Sequence, residues 1–284
     1  MTGVVIGILT GALYLGGSAL VFVFGSSYYQ LFRTNRSFLY KSILVVGFAV
    51  STWLTMRGTL APAFGLLSFA FLSAAVANLL GASAAYLQKP LRIRSDTLRG
   101  MAVGKAVEAA AVVGSIVALA WIARVPAGSL YLQTGRLGLG LAIGCGGFAL
   151  FAVLAAMQAR QMKIPSRTIV RLVPWILLFV LANGFMEELW LRAVFLQPLV
   201  SLIGPIAAIA LTALVFALAH IGISYMSKEE RLRFLVILFP LGLAWGVCLH
   251  FTGSILASAL FHAGADLMIV NGLISDLSAK NTKT

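Results

Sequence analysis

Nine runs of about twenty mostly apolar residues, separated by short polar breaks, account for about two thirds of the chain. A bilayer core about 30 Å thick is crossed by about 20 such residues in a helix. Backbone groups there find no water, so each run must bond to itself as a helix. The runs fall at 3–24, 38–56, 62–87, 102–123, 137–157, 172–197, 203–222, 234–250 and 254–274. Composition agrees, with 61% of the 284 residues hydrophobic and 10% charged and a mean hydropathy of +1.00. Soluble domains carry about 25% charged residues. The expected fold class is all-α, a polytopic helical membrane protein with about eight to nine transmembrane helices. No connection is long enough for a soluble domain, and no internal repeat or low-complexity tract is visible.

Basic residues orient such a bundle, because Lys and Arg close to span ends stay on the cytoplasmic side. The breaks after the first, third, fifth and seventh runs, together with the first residues of the runs that follow, and the tail after the ninth hold all the Lys and Arg except Arg57, Arg124, Arg136 and Arg192. They run from Arg33, Arg36 and Lys41 through Lys89 and Lys228 to Lys280 and Lys283. The amino terminus is therefore expected outside and the carboxyl terminus in the cytoplasm, in the plasma membrane if the source is prokaryotic. The net charge of +13 is dispersed over these loops rather than gathered with aromatics on one surface, so anionic lipid headgroups are the expected partner and nucleic acid is not. The segment Thr2 to Phe24 lacks a basic start and a small-residue cleavage site and is expected to remain as a span. Cys145 and Cys248 lie inside runs, have no metal spacing, and are expected to pack.

Against this background two adjacent carboxylates stand in Asn183-Gly-Phe-Met-Glu187-Glu188-Leu-Trp-Leu-Arg192. Charges at membrane depth are costly and mark function by default. Glu188 and Arg192, four apart, can form a structural ion pair, which leaves Glu187 unexplained. The other ionisable residues well inside runs are Glu108, His220, His262 and Asp266. Lys105 lies one turn before Glu108, and a local pair accounts for both. The rest cluster in the last four runs. Phe216 lies one turn before His220 on the same face, and His262 one turn before Asp266. A lone buried histidine is commonly bonded to a backbone carbonyl, whereas a histidine with a carboxylate partner has its ring oriented. With the turn between the sixth and seventh runs at Pro198 to Gly204, Glu187 and His220 both lie roughly 17 to 24 Å from the outer surface, and Asp266 roughly 18 Å, at about 1.5 Å per residue. Glu187, His220, His262 and Asp266 can therefore face one cavity.

The ordered set Glu187-Glu188-x-x-x-Arg192, Phe216-x-x-x-His220 and His262-x-x-x-Asp266 resembles the three motifs of the CPBP family, the type II CAAX prenyl endopeptidases and bacteriocin-processing or self-immunity proteins. The resemblance covers roughly residues 165–275. It divides the chain into accessory helices at 1–160, without a match, and a protease-like core at 161–276. It implies an intramembrane endopeptidase that cleaves near the carboxyl end of a membrane-associated protein or peptide. Carried over, Glu187 activates the attacking water with help from His220, and Glu188 and Arg192 hold the first motif, with Phe216 supporting the site. His262 and Asp266 stabilise the oxyanion. Many members have Asn at the last position, though Asp also occurs. Here Asp266 is expected to orient His262 or to be held protonated, since an ionised carboxylate donates no hydrogen bond. Ala193 stands where Gly is usual.

Other readings follow from the same residues. Glu187, His220, His262 and Asp266 could form a zinc site with an open water position. No His-Glu-x-x-His helix is present, so metal-independent water activation is expected and no cofactor is required. A non-proteolytic scaffold that holds a peptide or lipid in the same cavity is the alternative from another class. A transporter would show inverted repeats and paired broken helices, and neither is visible. The substrate, whether a prenylated tail, a peptide precursor or a leader, is not written in the chain.

Overall fold

The computed structural model describes residues 2–24, 35–58, 61–88, 90–222 and 228–281, and among these every regular element is helical. Helix α1 (Thr2–Ser18) continues into a π-helical segment, Ala19–Phe24. It is followed by α2 (Asn35–Arg57), α3 (Pro62–Gln88), α4 (Leu98–Ile122) and α5 (Leu137–Gln161). Helix α6 (Ser166–Glu187) runs through a π turn (Glu188–Ala193) into α7 (Val194–Ile203), and then come α8 (Pro205–Ala219), α9 (Lys228–Thr252) and α10 (Ile255–Asn281). Eight helical stretches among the described residues are long and apolar enough to cross a membrane, and α8 is a shorter apolar helix. Arg33, Lys89 and Lys283 lie outside the described residues, as do the side chains of Arg36, Lys228, Arg231 and Lys280.

Two of the differences from the hydropathy reading bear on the site. The sixth run does not stop at 197. The α6–α7 stretch spans 38 residues, Ser166–Ile203, or about 57 Å at 1.5 Å per residue, so it exceeds a 30 Å core and must tilt or project. Pro198 sits inside α7, and the chain reverses at Gly204, whose φ of 80° favours glycine. The seventh run forms only 15 residues of α-helix, about 22 Å, so α8 ends short of a full crossing and presents His220 at its end.

Apolar side chains cover the outside, with Ile206 86% and Trp121 81% exposed, while Glu188 and Arg192 are fully buried. That inversion is the signature of a protein solvated by lipid, and this is an integral, multi-pass membrane protein. Helices of both halves share one core. Tyr14 of α1 and Phe71 of α3 pack on Phe195 of α7 at ring separations of 5.3 and 5.1 Å.

Close approach by glycine sets α10. A side chain at Gly184 of α6 would meet the Ala259 carbonyl oxygen of α10 at 2.9 Å and the Ala263 nitrogen at 3.0 Å. One at Gly144 of α5 would meet Leu260 Cβ at 2.9 Å. Such small-residue contacts let membrane helices pack backbone to backbone. The start of α10 is tied down as well, since Ile255 N–H donates to the Tyr131 carbonyl at 3.0 Å and Arg136 N–H donates to that of Thr252 at 2.7 Å. Cys248 is buried, whereas Cys145, expected to pack, is exposed.

Candidate active site

The first motif coincides with the π turn. Widening one turn of a helix inserts a residue and frees backbone groups, a distortion common at functional sites. Glu187 ends α6 and Glu188 opens the wide turn, so the neighbouring carboxylates diverge. Glu188 accepts a hydrogen bond from Arg192 Nη1 inside the turn and another from His262 Nδ1 at 2.9 Å. The Arg192 guanidinium lies over the rings of Phe216 at 4.8 Å and Trp245 at 5.6 Å, cation–π contacts that compensate part of its desolvation. The expected ion pair is present, and it serves a histidine as well.

Glu187 faces the other way, into the site. Its Oε2 lies 3.5 Å from His220 Nε2 and 3.7 Å from His262 Nε2. His220 Nδ1 lies 2.8 Å from the Phe216 carbonyl. A carbonyl only accepts, so Nδ1 carries a proton, and the ring turns its Nε2 toward Glu187. An ionised Glu188 likewise requires Nδ1–H on His262. Both imidazoles are thus anchored through Nδ1 and present Nε2 to one carboxylate.

Asp266 completes the group, with Oδ1 3.7 Å from His262 Nε2. That is beyond hydrogen-bond length, so the carboxylate that grips His262 is Glu188, whereas Asp266 Oδ2 accepts from Asn183 Nδ2 at 2.9 Å. The faces of α6 and α10 are brought together by the Gly184 contact, which no helical spacing encodes. Phe216 touches both imidazoles, with ring centroids 4.7 Å from His220 and 5.5 Å from His262.

The neighbours differ in how far the sequence marks them, and Trp245 carries no signal of its own. Trp245 of α9 stacks on His262 at 4.1 Å with planes 7° apart. Asn183 stands four residues before Glu187, a helical spacing that could have flagged it. The Lys105–Glu108 pair forms as expected at 2.7 Å, and Lys105 also interacts electrostatically with Glu187 and Asp266. A cavity of about 150 Å³ opens beside Glu187 and His220, bounded by Phe22, Asn78, Trp190, Leu191 and Ala219. A larger, open hollow of about 570 Å³ at Ala120–Val125 lies at the opposite end of α4 from Lys105 and holds none of these groups. Among the described residues no group of three or more His, Cys, Asp and Glu is set to hold a metal ion.

Fold and site together define a helical membrane protein that encloses a carboxylate–histidine cluster among its last helices. Residues 169–268, roughly a third of the chain, match the family described as type II CAAX prenyl endopeptidase Rce1-like, and the resemblance carried by the three motifs is borne out over that stretch. No curated protein and no solved structure matches the chain.

Proposed function

We propose that this protein is an intramembrane endopeptidase that hydrolyses a peptide bond near the carboxyl end of a membrane-associated protein or peptide, with Glu187 as the base. The observation that carries the reading is the convergence of two Nδ1-anchored imidazoles on Glu187 Oε2, at 3.5 and 3.7 Å. Those separations are at or beyond the limit of a direct hydrogen bond, so a water can enter among the three groups. The water donates one proton to Glu187 and the other to the His220 Nε2 lone pair. Its oxygen attacks the scissile carbonyl carbon as the first proton passes to Glu187, and the carbonyl oxygen becomes the oxyanion. His262, doubly protonated with Glu188 behind it, donates from Nε2 to that oxygen, with Asp266 beside it. Collapse breaks the C–N bond, and Glu187 returns the proton to the leaving amine. No step passes through a metal. The family's name points to a prenylated, membrane-anchored tail as substrate.

The reading is tested by comparing carboxyl termini in membrane proteomes of cells with the wild-type protein and with Glu187→Gln. New termini that vanish in the variant support it and name the substrate. A Glu187→Gln protein that cleaves at the wild-type rate overturns it, and loss of activity with a chelator, together with bound zinc in the purified protein, would replace it with the metal mechanism.

A further inference from the structure

The cavity beside Glu187 and His220 is walled in part by helices outside the family-matching stretch. Phe22 comes from the π-helical end of α1 and Asn78 from α3, whereas Trp190 and Leu191 come from the π turn and Ala219 from the end of α8. Polar groups of this wall are turned to the backbone. Asn78 Nδ2 donates to the Val21 carbonyl at 2.5 Å, an acceptor within the π-helical segment, where the regular ladder is broken. Trp190 Nε1 donates to the Ala74 carbonyl, one turn before Asn78, at 3.2 Å. The Phe22 and Trp190 rings meet edge to face at 5.5 Å. Phe22, Trp190, Leu191 and Ala219 offer an occupant ring and methyl surface, and Glu187 and His220, the groups that would carry out the hydrolysis, line the same cavity.

Size then selects the occupant. A cavity of about 150 Å³ takes a molecule of about benzene's size, whereas sites for larger ligands measure about 300–1,000 Å³. We propose that this cavity is a specificity subsite for one medium-sized apolar side chain of the substrate, from Val to Phe in size, flanking the bond to be cleaved. It is too small to hold a whole isoprenoid chain, most of which must lie elsewhere if the substrate carries one. The inference rests on the protease reading and assigns to α1 and α3 the selection of the substrate.

The test uses the full chain in phosphatidylcholine vesicles with palmitoylated peptide libraries in which one position at a time is Gly, Val, Leu, Phe or Trp. At the position flanking the cleaved bond, Leu should exceed Trp by about tenfold, and Phe22→Ala should abolish that preference. In parallel, the same libraries carrying photo-leucine at that position are irradiated with the Glu187→Gln protein, and adducts are mapped by mass spectrometry. Adducts on the segments holding Phe22, Asn78 and Trp190 support the subsite even if Phe22→Ala fails to fold. A preference unmoved by Phe22→Ala, adducts confined to other helices, no adducts, or labelling of these segments by an isoprenoid diazirine instead overturns it. The two readings fail separately. Cleavage that survives Glu187→Gln with adducts still in the cavity removes the base and keeps the subsite, and the reverse pattern does the opposite.

Discussion

Arg192 is the residue on which the site's internal balance turns. It is fully buried, pairs with Glu188 and lies over Phe216 and Trp245, which in turn touch the histidines. Removing one partner of a buried pair leaves the other charge uncompensated, at about 3–5 kcal/mol. Arg192→Met should therefore lower stability by that order in a detergent unfolding assay and release the Glu188 grip on His262. Arg192→Lys should not rescue activity, because an ammonium lacks the planar fork and the flat face that stacks on the rings. Asp266 poses the sharper chemical question. An amide at this position keeps an oxygen to accept from Asn183, so Asp266→Asn should fold normally, and the rate–pH profile reports on the charge. Undiminished cleavage at every pH would remove any role for a negative Asp266. Asn183→Leu, by contrast, strips the donor from a buried carboxylate and should cut turnover while leaving the Glu187–His220 geometry in place, a result read from kcat with adducts still forming in the cavity.

The elements show what a one-dimensional reading could and could not deliver. Long apolar runs declare helices because composition alone decides them, and the three motifs were legible because residues one turn apart share a face. Which faces meet is another matter. His262 and Glu188 are 74 residues apart, and their bond depends on how closely α10 crosses α6, which is governed by the missing side chain at Gly184. Trp245 sits on a helix without any motif, and the π turn is a backbone distortion that apolar periodicity does not mark. Hydropathy continues past the last α-helical residue of the short α8, so its sequence resembles that of a full span. Gly184→Val follows as a direct test. Its branched side chain would collide with the Ala259 and Ala263 backbone, push α10 from α6, and separate His262 from Glu188. Activity should fall at least as far as in His262→Ala, with a loss of thermal stability of a few kcal/mol typical of overpacking. Gly146→Ala on α5, where an added methyl meets nothing within 4 Å, should be silent in both assays.

At the scale of the whole molecule, the arrangement of loops against the membrane determines from which side a substrate arrives. We propose that the α3–α4 turn, with Arg92, Arg94 and Arg99, faces the cytoplasm and that the α4–α5 loop faces outside, because cationic loops are retained on the inner, negatively charged side. The α3–α4 turn is polar and exposed, with Arg94 and Asp96 paired at 2.8 Å in a contact worth little so close to water. The α4–α5 loop is instead bonded to the start of α10, so it shares a side with the α9–α10 turn. Two crossings, α9 and α8, lead from that turn back to Gly204, and both ends lie on one side only if α8, though short, counts as a crossing that brings His220 to the depth of Glu187. Single cysteines in a Cys145→Ser, Cys248→Ala background decide the matter. Ser95→Cys and Thr134→Cys each place a thiol at an exposed position, and an impermeant maleimide applied to intact cells should label position 134 and spare position 95 until the membrane is opened. The opposite pattern would invert the bundle, place the α3–α4 turn outside, and require the substrate's cleaved end to approach from there.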